Sequence, residues 1–484
     1  MLDDLRKARL EKLKLLKDAG ISPYPSKSSF KISPIPLIKK NFKKLSKTNK
    51  VVAVAGRITA KREHGGSVFI DISDGKAISQ VFLGKNKLPK GSFELFSKAV
   101  DIGDFVAVSG KPFYTKRKEP TIEAKKWEML AKSLLPLPEK WHGLQDPEEK
   151  LRKRYLEILF NPEIREMIEK KALFWNSVRE FHSKNDFLEV ETPALEVTAG
   201  GADANPFITR HQALDMDVYL RISAGELWQK RLMVAGFKKT FEIGRIFRNE
   251  GMSAEHLQDY TQCEAYWAYA DYKDMYEFLK ECYIFVAKKT FKTLKFKIRG
   301  FDVNLGGKWP LIDYAEEIKK QTKIDIWKAS EVEIINKVKS LNTKSESGSR
   351  IKLIDALWKY CRKNIGGPAI LINEPKFMSP LAKSSKANPN VTERFHFLIG
   401  GSEMGQGYSE LNDPIDQRER FIVQEQMRKE GDESAQMKDE DFIEALEHGM
   451  PPTAGHGFSE RLFSFLIDKP VRENQIFPLV KPKK

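Results

Sequence analysis

The chain reads as an α+β protein in two parts, a small β-barrel followed by a larger domain in which strands and helices interleave. Between residues 51 and 130, apolar and polar residues alternate in five short runs punctuated by glycine, the pattern of half-buried strands. From about residue 161 onward, helical periodicity and strand-like runs take turns. A length of 484 residues, 41% of them hydrophobic, allows two or three domains with a core each.

In chain order, residues 2–19 carry Leu2, Leu5, Leu10, Leu13 and Leu16 at near-helical spacing among Lys and Arg, with Gly20 where a helix C′ residue belongs. A Pro/Ser/Lys-rich connector follows, so residues 1–50 form a basic N-terminal helix and connector. The runs VVAVAGRI, SVFIDIS, AISQVFL, DFVAVSG and TIEAKKWEML predict a closed barrel of the OB type over residues 51–135. Such barrels bind single-stranded nucleic acid by laying bases on exposed aromatics. A linker is expected at 136–160, and the large domain at 161–484. That domain begins with a helix over 162–184 and later has a helical region near 310–374, strands at 395–399 and 403–411, and a helix near 414–430.

The net charge is +16, and it is uneven: residues 1–50 hold 14 Lys/Arg against 4 Asp/Glu. A basic arm suits a polyanion through counterion release, although a solvated amphipathic helix reads the same way. Three scattered cysteines, Cys263, Cys282 and Cys361, form neither a disulfide framework nor a zinc knuckle and fit a reducing compartment. No apolar run reaches membrane-spanning length, and the charged N-terminus lacks signal-peptide character, so a soluble cytoplasmic protein with no membrane partner is expected. Neither GxGxxG after a strand nor GxxxxGK[ST] occurs.

The most informative stretch is FEIGRIFRNEG at 241–251 with YTQCEAY at 260–266, two strands joined by a charged loop. Period-two geometry puts Tyr260, Gln262, Glu264 and Tyr266 on one face, beside the cation Arg248. That set can hold a base, a phosphate and an ammonium group; an ordinary half-polar strand pair is the alternative.

These segments resemble the class II aminoacyl-tRNA synthetases. FLEVETP at 187–193, AGGADANPF at 199–207 and residues 214–222 are similar to the dimer-interface motif and the segment after it, and FEIGRIFRNEG to the second motif. EMGQGYSELND at 403–413, ALEHGMPPTAG at 445–455, SLLPLPEKWHG at 133–143 and ADY at 270–272 resemble the lysyl-specific branch. The likeness covers nearly the whole chain in order. It implies a catalytic domain built on an antiparallel sheet flanked by helices, an anticodon-binding OB-fold, a homodimer, and Mg²⁺ as cofactor. It also implies a two-step reaction, in which L-lysine and ATP form lysyl-adenylate and the acyl group passes to tRNA(Lys).

Carried over residue by residue, the resemblance assigns Arg248 to the bridge between the substrate carboxylate and the α-phosphate, with Arg461 as the second catalytic arginine on the terminal phosphate. Glu250, His256, Tyr260 and Glu403 complete the ATP set, and Gly201, Glu226, Arg248, Glu264, Tyr266, Gln406, Tyr408 and Glu410 bind lysine. Arg57, Phe69 and Gln80 read the anticodon, and Glu403 with His396 stands at the metal. Alternatives stay open for some of these: a salt bridge from Arg248 to Glu250 or Glu264, a plain loop histidine at His256, core packing for Tyr260, and barrel core for Phe69.

The chain departs from the family at several points. His396 stands where the family has a metal-binding glutamate, and imidazole suits a hard cation poorly. Glu255 stands where relatives carry a phosphate-binding arginine. Gln406 replaces an asparagine and Tyr408 a phenylalanine; the stretch between Arg221 and Glu226 has one extra residue, and the last motif, GHGFSER at 455–461, is one residue short. Two other readings fit the fold. An aspartyl- or asparaginyl-type enzyme would place cations where Glu264 and Glu410 stand, and a tRNA-binding paralogue would lack catalysis.

Overall fold

In the computed structural model the residues described are 2–48, 50–138, 146–251, 253–343, 349–432 and 435–482. Part of the SLLPLPEKWHG motif and of the expected linker therefore lies outside them. The chain divides into two units, Met1–Pro162 and Glu163–Lys484.

In the first unit, the five expected strands appear as Val52–His64, Ser67–Ser73, Ile78–Gly84, Phe105–Tyr114 and Pro120–Ala131, and they close into a barrel. Alternation decides which side chains fill it: Val68, Ile70 and Ile72 on the second strand, and Val81 and Leu83 on the third, are fully or nearly fully buried. Between the third and fourth strands the helix Ser92–Ala99, which the strand pattern did not reveal, plugs the barrel with Phe93, Phe96 and Ala99.

The N-terminal segment is less of a free connector than its composition suggested. Helix Leu2–Asp18 ends as expected at Gly20, whose φ of +73° lets Ile21 N–H reach back to Leu16 C=O. However, Leu16 is its one buried leucine among the described residues, while Leu2, Leu5 and Leu10 are exposed. Polar clamps fasten it instead: Arg9 donates to the carbonyls of Ile102, Ser133 and Leu135, and Lys12 pairs with Asp101 at 2.6 Å. The stretch read as connector contains two short helices, Ile35–Lys40 and Phe42–Leu45, because Ile35, Ile38 and Phe42 at helical spacing enter the barrel core.

The second unit is floored by an eight-stranded sheet. Its order is Leu311–Asp313, Ala369–Ile372, Arg394–Ile399, Ser402–Ser409, Thr453–Ser459, Asp259–Ala268, Lys239–Phe247 and Leu188–Glu189. The expected antiparallel pairing holds through the middle; the outermost pair at each edge is parallel. Helix Tyr272–Phe291 opens with a capping box, Asp271 and Asp274. It lays Met275, Leu279, Cys282, Tyr283 and Val286 against strands Ser402–Ser409 and Thr453–Ser459. The region 310–374 is a small helical layer of Tyr314–Thr322, Glu331–Ser340 and Arg350–Arg362, with its own core shared with Leu371 and Leu398 of the sheet.

On the helix side of the sheet, two buried histidines meet. His182 Nδ1 lies 2.9 Å from the Val178 carbonyl, and its Nε2 lies 3.1 Å from His456 Nε2. One ring therefore donates and the other accepts, so at least the acceptor ring is neutral. Burial pushes His182 down to about 4, and burial with the neighbouring ring pushes His456 well below its ordinary value. In the unfolded chain both take a proton near pH 6.5; in the folded one they resist it. Stability is thus retained above pH 6.5 and lost as pH falls toward 4, by about 3 kcal/mol for His182 alone. Urea unfolding of the wild type at pH 7 and pH 4.5 should show this loss, and the His182→Phe/His456→Leu double variant should lose most of it.

Candidate active site

The site is built by register. Glu264 on strand Asp259–Ala268 aligns with Gly457 and then Gln406 across three strands, and Tyr266 aligns with Gly455 and Tyr408. Since the central strand offers only hydrogen at Gly455 and Gly457, side chains of the flanking strands close over it. A β-carbon on Gly455 would sit 2.5 Å from Glu410 Oε1 and 2.6 Å from the Tyr266 ring, whereas one on Gly457 would approach Glu264 only to 3.3 Å. Both glycines of the shortened last motif thus lie beneath acidic side chains, Gly455 beneath Glu410 and Gly457 beneath Glu264. Period-two alternation sends His456, between them, to the opposite face.

Over this floor stand three buried carboxylates, Glu226, Glu264 and Glu410, at 5, 3 and 1% exposure. Glu264 accepts from Ala224 N–H (2.8 Å), Gln262 Nε2 (2.5 Å) and the Tyr266 hydroxyl (3.2 Å). Glu226 accepts from the Tyr408 hydroxyl and from Lys230 Nζ at 2.8 Å. Lys230 also contacts Glu410 Oε2 at 2.5 Å. Burial raises Glu264 to about 7, reinforced by Glu226; burial also raises Glu410, against the pull of Lys230. Three carboxylates around one ammonium cannot all stay ionised in a dry pocket without more positive charge.

The extra residue before Glu226 is absorbed at Gly225, whose φ of +77° starts helix Glu226–Val234 and points Glu226 inward. Gly201 (φ +84°) packs its backbone against Glu226, and a β-carbon there would lie 2.7 Å from the Glu226 Cβ. The innermost recess, between Glu226, Glu264, Tyr266 and Glu410, has about 30 Å³ free, near the share of one water or one ammonium head. A space of about 190 Å³ shares Gly201, Arg248, Gln406 and Tyr408 with it.

Arg248 lies at the mouth. Its Nε donates to the Ile222 carbonyl (3.2 Å), and its guanidinium sits 5.9 Å from the Tyr260 ring centre. No salt bridge to Glu250 or Glu264 forms among the described residues, so the ion-pair alternative does not hold. Arg248, Tyr260, Gln262, His396, Glu403, Gln406 and Arg461 line a further cavity of about 230 Å³. Glu250 and His256 lie outside it on the exposed loop, with His256 Nδ1 at 2.8 Å from the Ser253 hydroxyl.

At this end the charges are already paired internally. Glu255 binds Arg461 at 3.0 Å and also contacts Arg299 and Ser402. Glu403 accepts from Trp358 Nε1 (2.6 Å) and Arg362 (3.1 Å), both on helix Arg350–Arg362, and its Oε2 lies 3.8 Å from His396 Nδ1. Burial opposes ionisation of Glu403, but His396, Arg362, Trp358 and Arg461 together bring it down to about 2. His396 Nε2 stands 3.4 Å from Glu374, which Arg394 holds at 2.8 Å. Among the described residues, no group of three or more His, Cys, Asp or Glu side chains is arranged to hold a metal ion. Glu403 Oε2 is the donor that suits a hard cation.

The sequence did not reveal Lys230, Trp358, Arg362, Glu374 or Arg299. Lys230 had one legible signal, its i+4 spacing from Glu226 on a helix.

In the barrel, Arg57, Phe69 and Gln80 are half-buried and lie on the outer face of their strands. Phe69 is thus not core; its ring meets Phe82 at 5.0 Å, and Phe82 meets Phe113 at 6.3 Å. Arg57 caps the Gly103 carbonyl (3.0 Å) over the Phe105 ring, and Gln80 accepts from Thr121 (2.8 Å).

A sheet-floored acidic pocket with arginines at its mouth, preceded in the chain by an OB-type barrel, fits the class II tRNA synthetases. Residues 146–481 match the family of class II tRNA synthetases (D, K and N), and residues 52–130 match the OB-fold nucleic acid binding domain. The chain belongs to the class II tRNA synthetase family. It is 43% identical to the lysine–tRNA ligase of Carboxydothermus hydrogenoformans, over all of this chain and 99% of that protein. It is 40% identical to that of Thermotoga maritima, over all of this chain and 97% of that protein. With that of Moorella thermoacetica the identity is 42%, over 99% and 98%.

The glycine floor makes a stability prediction. Gly455→Ala should cost roughly 1–3 kcal/mol in urea unfolding from overpacking against Glu410 and Tyr266, and Gly457→Ala should cost clearly less.

Proposed function

We propose that the chain is a lysine–tRNA ligase, which activates L-lysine with ATP to lysyl-adenylate and transfers the lysyl group to tRNA(Lys). The observation that carries this reading is the buried trio Glu226, Glu264 and Glu410. A pocket of carboxylates welcomes two ammonium groups and leaves unpaired charge beside any neutral analogue. An aspartyl- or asparaginyl-type substrate would meet repulsion there.

In this reading Glu226 and the Gly201 backbone hold the α-ammonium, and Glu264, Tyr266 and Glu410 hold the ε-ammonium, with Gln406 and Tyr408 flanking the stem. Tyr260 stacks the adenine. The planar fork of Arg248 bridges the lysine carboxylate and the α-phosphate, screening two anions and aligning oxygen with phosphorus. The carboxylate oxygen then bonds to phosphorus as pyrophosphate leaves. Arg461 takes the terminal phosphate by exchanging Glu255 for it, with Glu250 and His256 contributing from the loop. In the second step a terminal ribose hydroxyl of the tRNA attacks the lysyl carbonyl and AMP departs.

Magnesium would be held on the protein side by Glu403, and it would supply charge neutralisation for the phosphates. His396 adds no oxygen donor. Binding of the anticodon strand falls to Phe69, Arg57 and Gln80. A homodimer through the segment around residues 187–193 and a cytoplasmic location complete the reading. No helix among the described residues is long and apolar enough to cross a membrane.

ATP–pyrophosphate exchange with each of the twenty amino acids should be lysine-dependent, and His396→Glu should lower the magnesium concentration needed for half-maximal rate. Exchange with aspartate or asparagine, or with no amino acid, would replace the ligase reading with a sister enzyme or a tRNA-binding paralogue. Phe69→Ala should weaken tRNA binding in a filter assay by about 1–3 kcal/mol, the value of one stacked base, while leaving lysine-dependent exchange unchanged.

A further inference from the structure

The acidic pocket contains its own cation. Lys230 is 1% exposed, on the second turn of helix Glu226–Val234, one turn after Glu226. Its ammonium sits 2.8 Å from Glu226 Oε1 and 2.5 Å from Glu410 Oε2, with the rings of Tyr408 and Phe442 at 5.5 and 5.8 Å. A fully buried lysine is rare and costly unless paired, and this one is paired twice. Both partners belong to the recess, and the third carboxylate, Glu264, faces the same space.

Counting charge gives the consequence. Three ionised carboxylates and one ammonium leave an excess of two negative charges. A free lysine whose carboxylate is matched by Arg248 brings two positive ones.

We propose that Lys230 is a specificity-determining residue, a permanent internal counter-ion that holds Glu226 and Glu410 together and sets the pocket's charge to match a doubly cationic amino acid. This rests on the ligase reading above. Lys230 acts through the two glutamates and is a positioning residue for them. Without its charge, three carboxylates face two ammonium groups. One carboxylate then keeps a proton in the occupied pocket and stops serving as a full acceptor.

The test is lysine-dependent ATP–pyrophosphate exchange by the full chain carrying Lys230→Arg or Lys230→Gln, between pH 6.5 and 8.5. Lys230→Arg keeps the charge and should stay within about threefold of the wild-type KM for lysine. Lys230→Gln should raise the lysine KM about tenfold or more at pH 7, with the ATP KM within about twofold. That deficit should narrow toward pH 8.5 as the retained proton leaves. A wild-type lysine KM for Lys230→Gln, or a loss of equal size at every pH and for both substrates, overturns the proposal.

A second comparison covers the case in which Lys230→Gln does not fold. Glu410→Gln alone leaves the pocket one negative charge short, and adding Lys230→Gln restores the balance with an amide pair in place of the ion pair. The double variant should therefore have a lower lysine KM than Glu410→Gln, and an equal or higher KM overturns the proposal. Absence of lysine-dependent exchange in the wild type would instead remove the ligase reading itself.

Discussion

Holding three carboxylates out of water within a few ångströms of one another is the constraint around which the larger unit is arranged. Burial favours the protonated forms of Glu264 and Glu410, and the fold supplies donors that oppose it. Ala224 N–H, Gln262 and the Tyr266 hydroxyl serve Glu264, the Tyr408 hydroxyl and Lys230 serve Glu226, and Lys230 serves Glu410. Two backbone devices support the arrangement: the left-handed Gly225 starts the helix that carries Glu226 and Lys230, and the bare strand at Gly455 and Gly457 gives the acids room to meet. The result is a recess that is still short of positive charge.

At the opposite end of the cleft the same accounting is solved by internal pairing. Arginines that would otherwise repel one another share Glu255, and Glu403 is held between Arg362, Trp358 and His396. This gives the helical region 310–374 a role: it covers the sheet edge and delivers Trp358 and Arg362 to Glu403. In the proposed reading, a phosphate chain at Arg461 would exchange one anion for another, which costs less than desolvating a bare guanidinium. The departures at Glu255 and His396 thus form connected networks.

Much of this was legible in the residues. Alternation placed Tyr260, Gln262, Glu264 and Tyr266 on one face and marked out the five barrel strands, because period two is a local property that burial on one side imposes. The extra residue before Glu226 and the one missing from the last motif look disruptive in one dimension, yet a positive-φ glycine, Gly225, stands at the first. What stayed hidden depends on distant contacts. Its i+4 spacing from Glu226 is the one local mark on Lys230, and only the arrival of Glu410, 180 residues later, makes it an internal ion. Trp358 and Arg362 look like ordinary amphipathic-helix residues. Phe82 and Phe113 join Phe69 only through strand pairing, and the plug helix Ser92–Ala99 is too short to show a clear period.

The acidic pocket by itself lacks positive charge, and in the proposed reading its ligand supplies it. Lysine binding should then ionise carboxyls that burial had kept protonated, chiefly Glu264 near pH 7 with Glu410 above its ordinary range. Calorimetric titration of lysine at pH 7, in buffers of differing ionisation enthalpy, counts those protons directly. Release on the order of one proton per lysine, falling away by pH 9, is the expected result. Binding with no proton exchange, or with uptake, would contradict it.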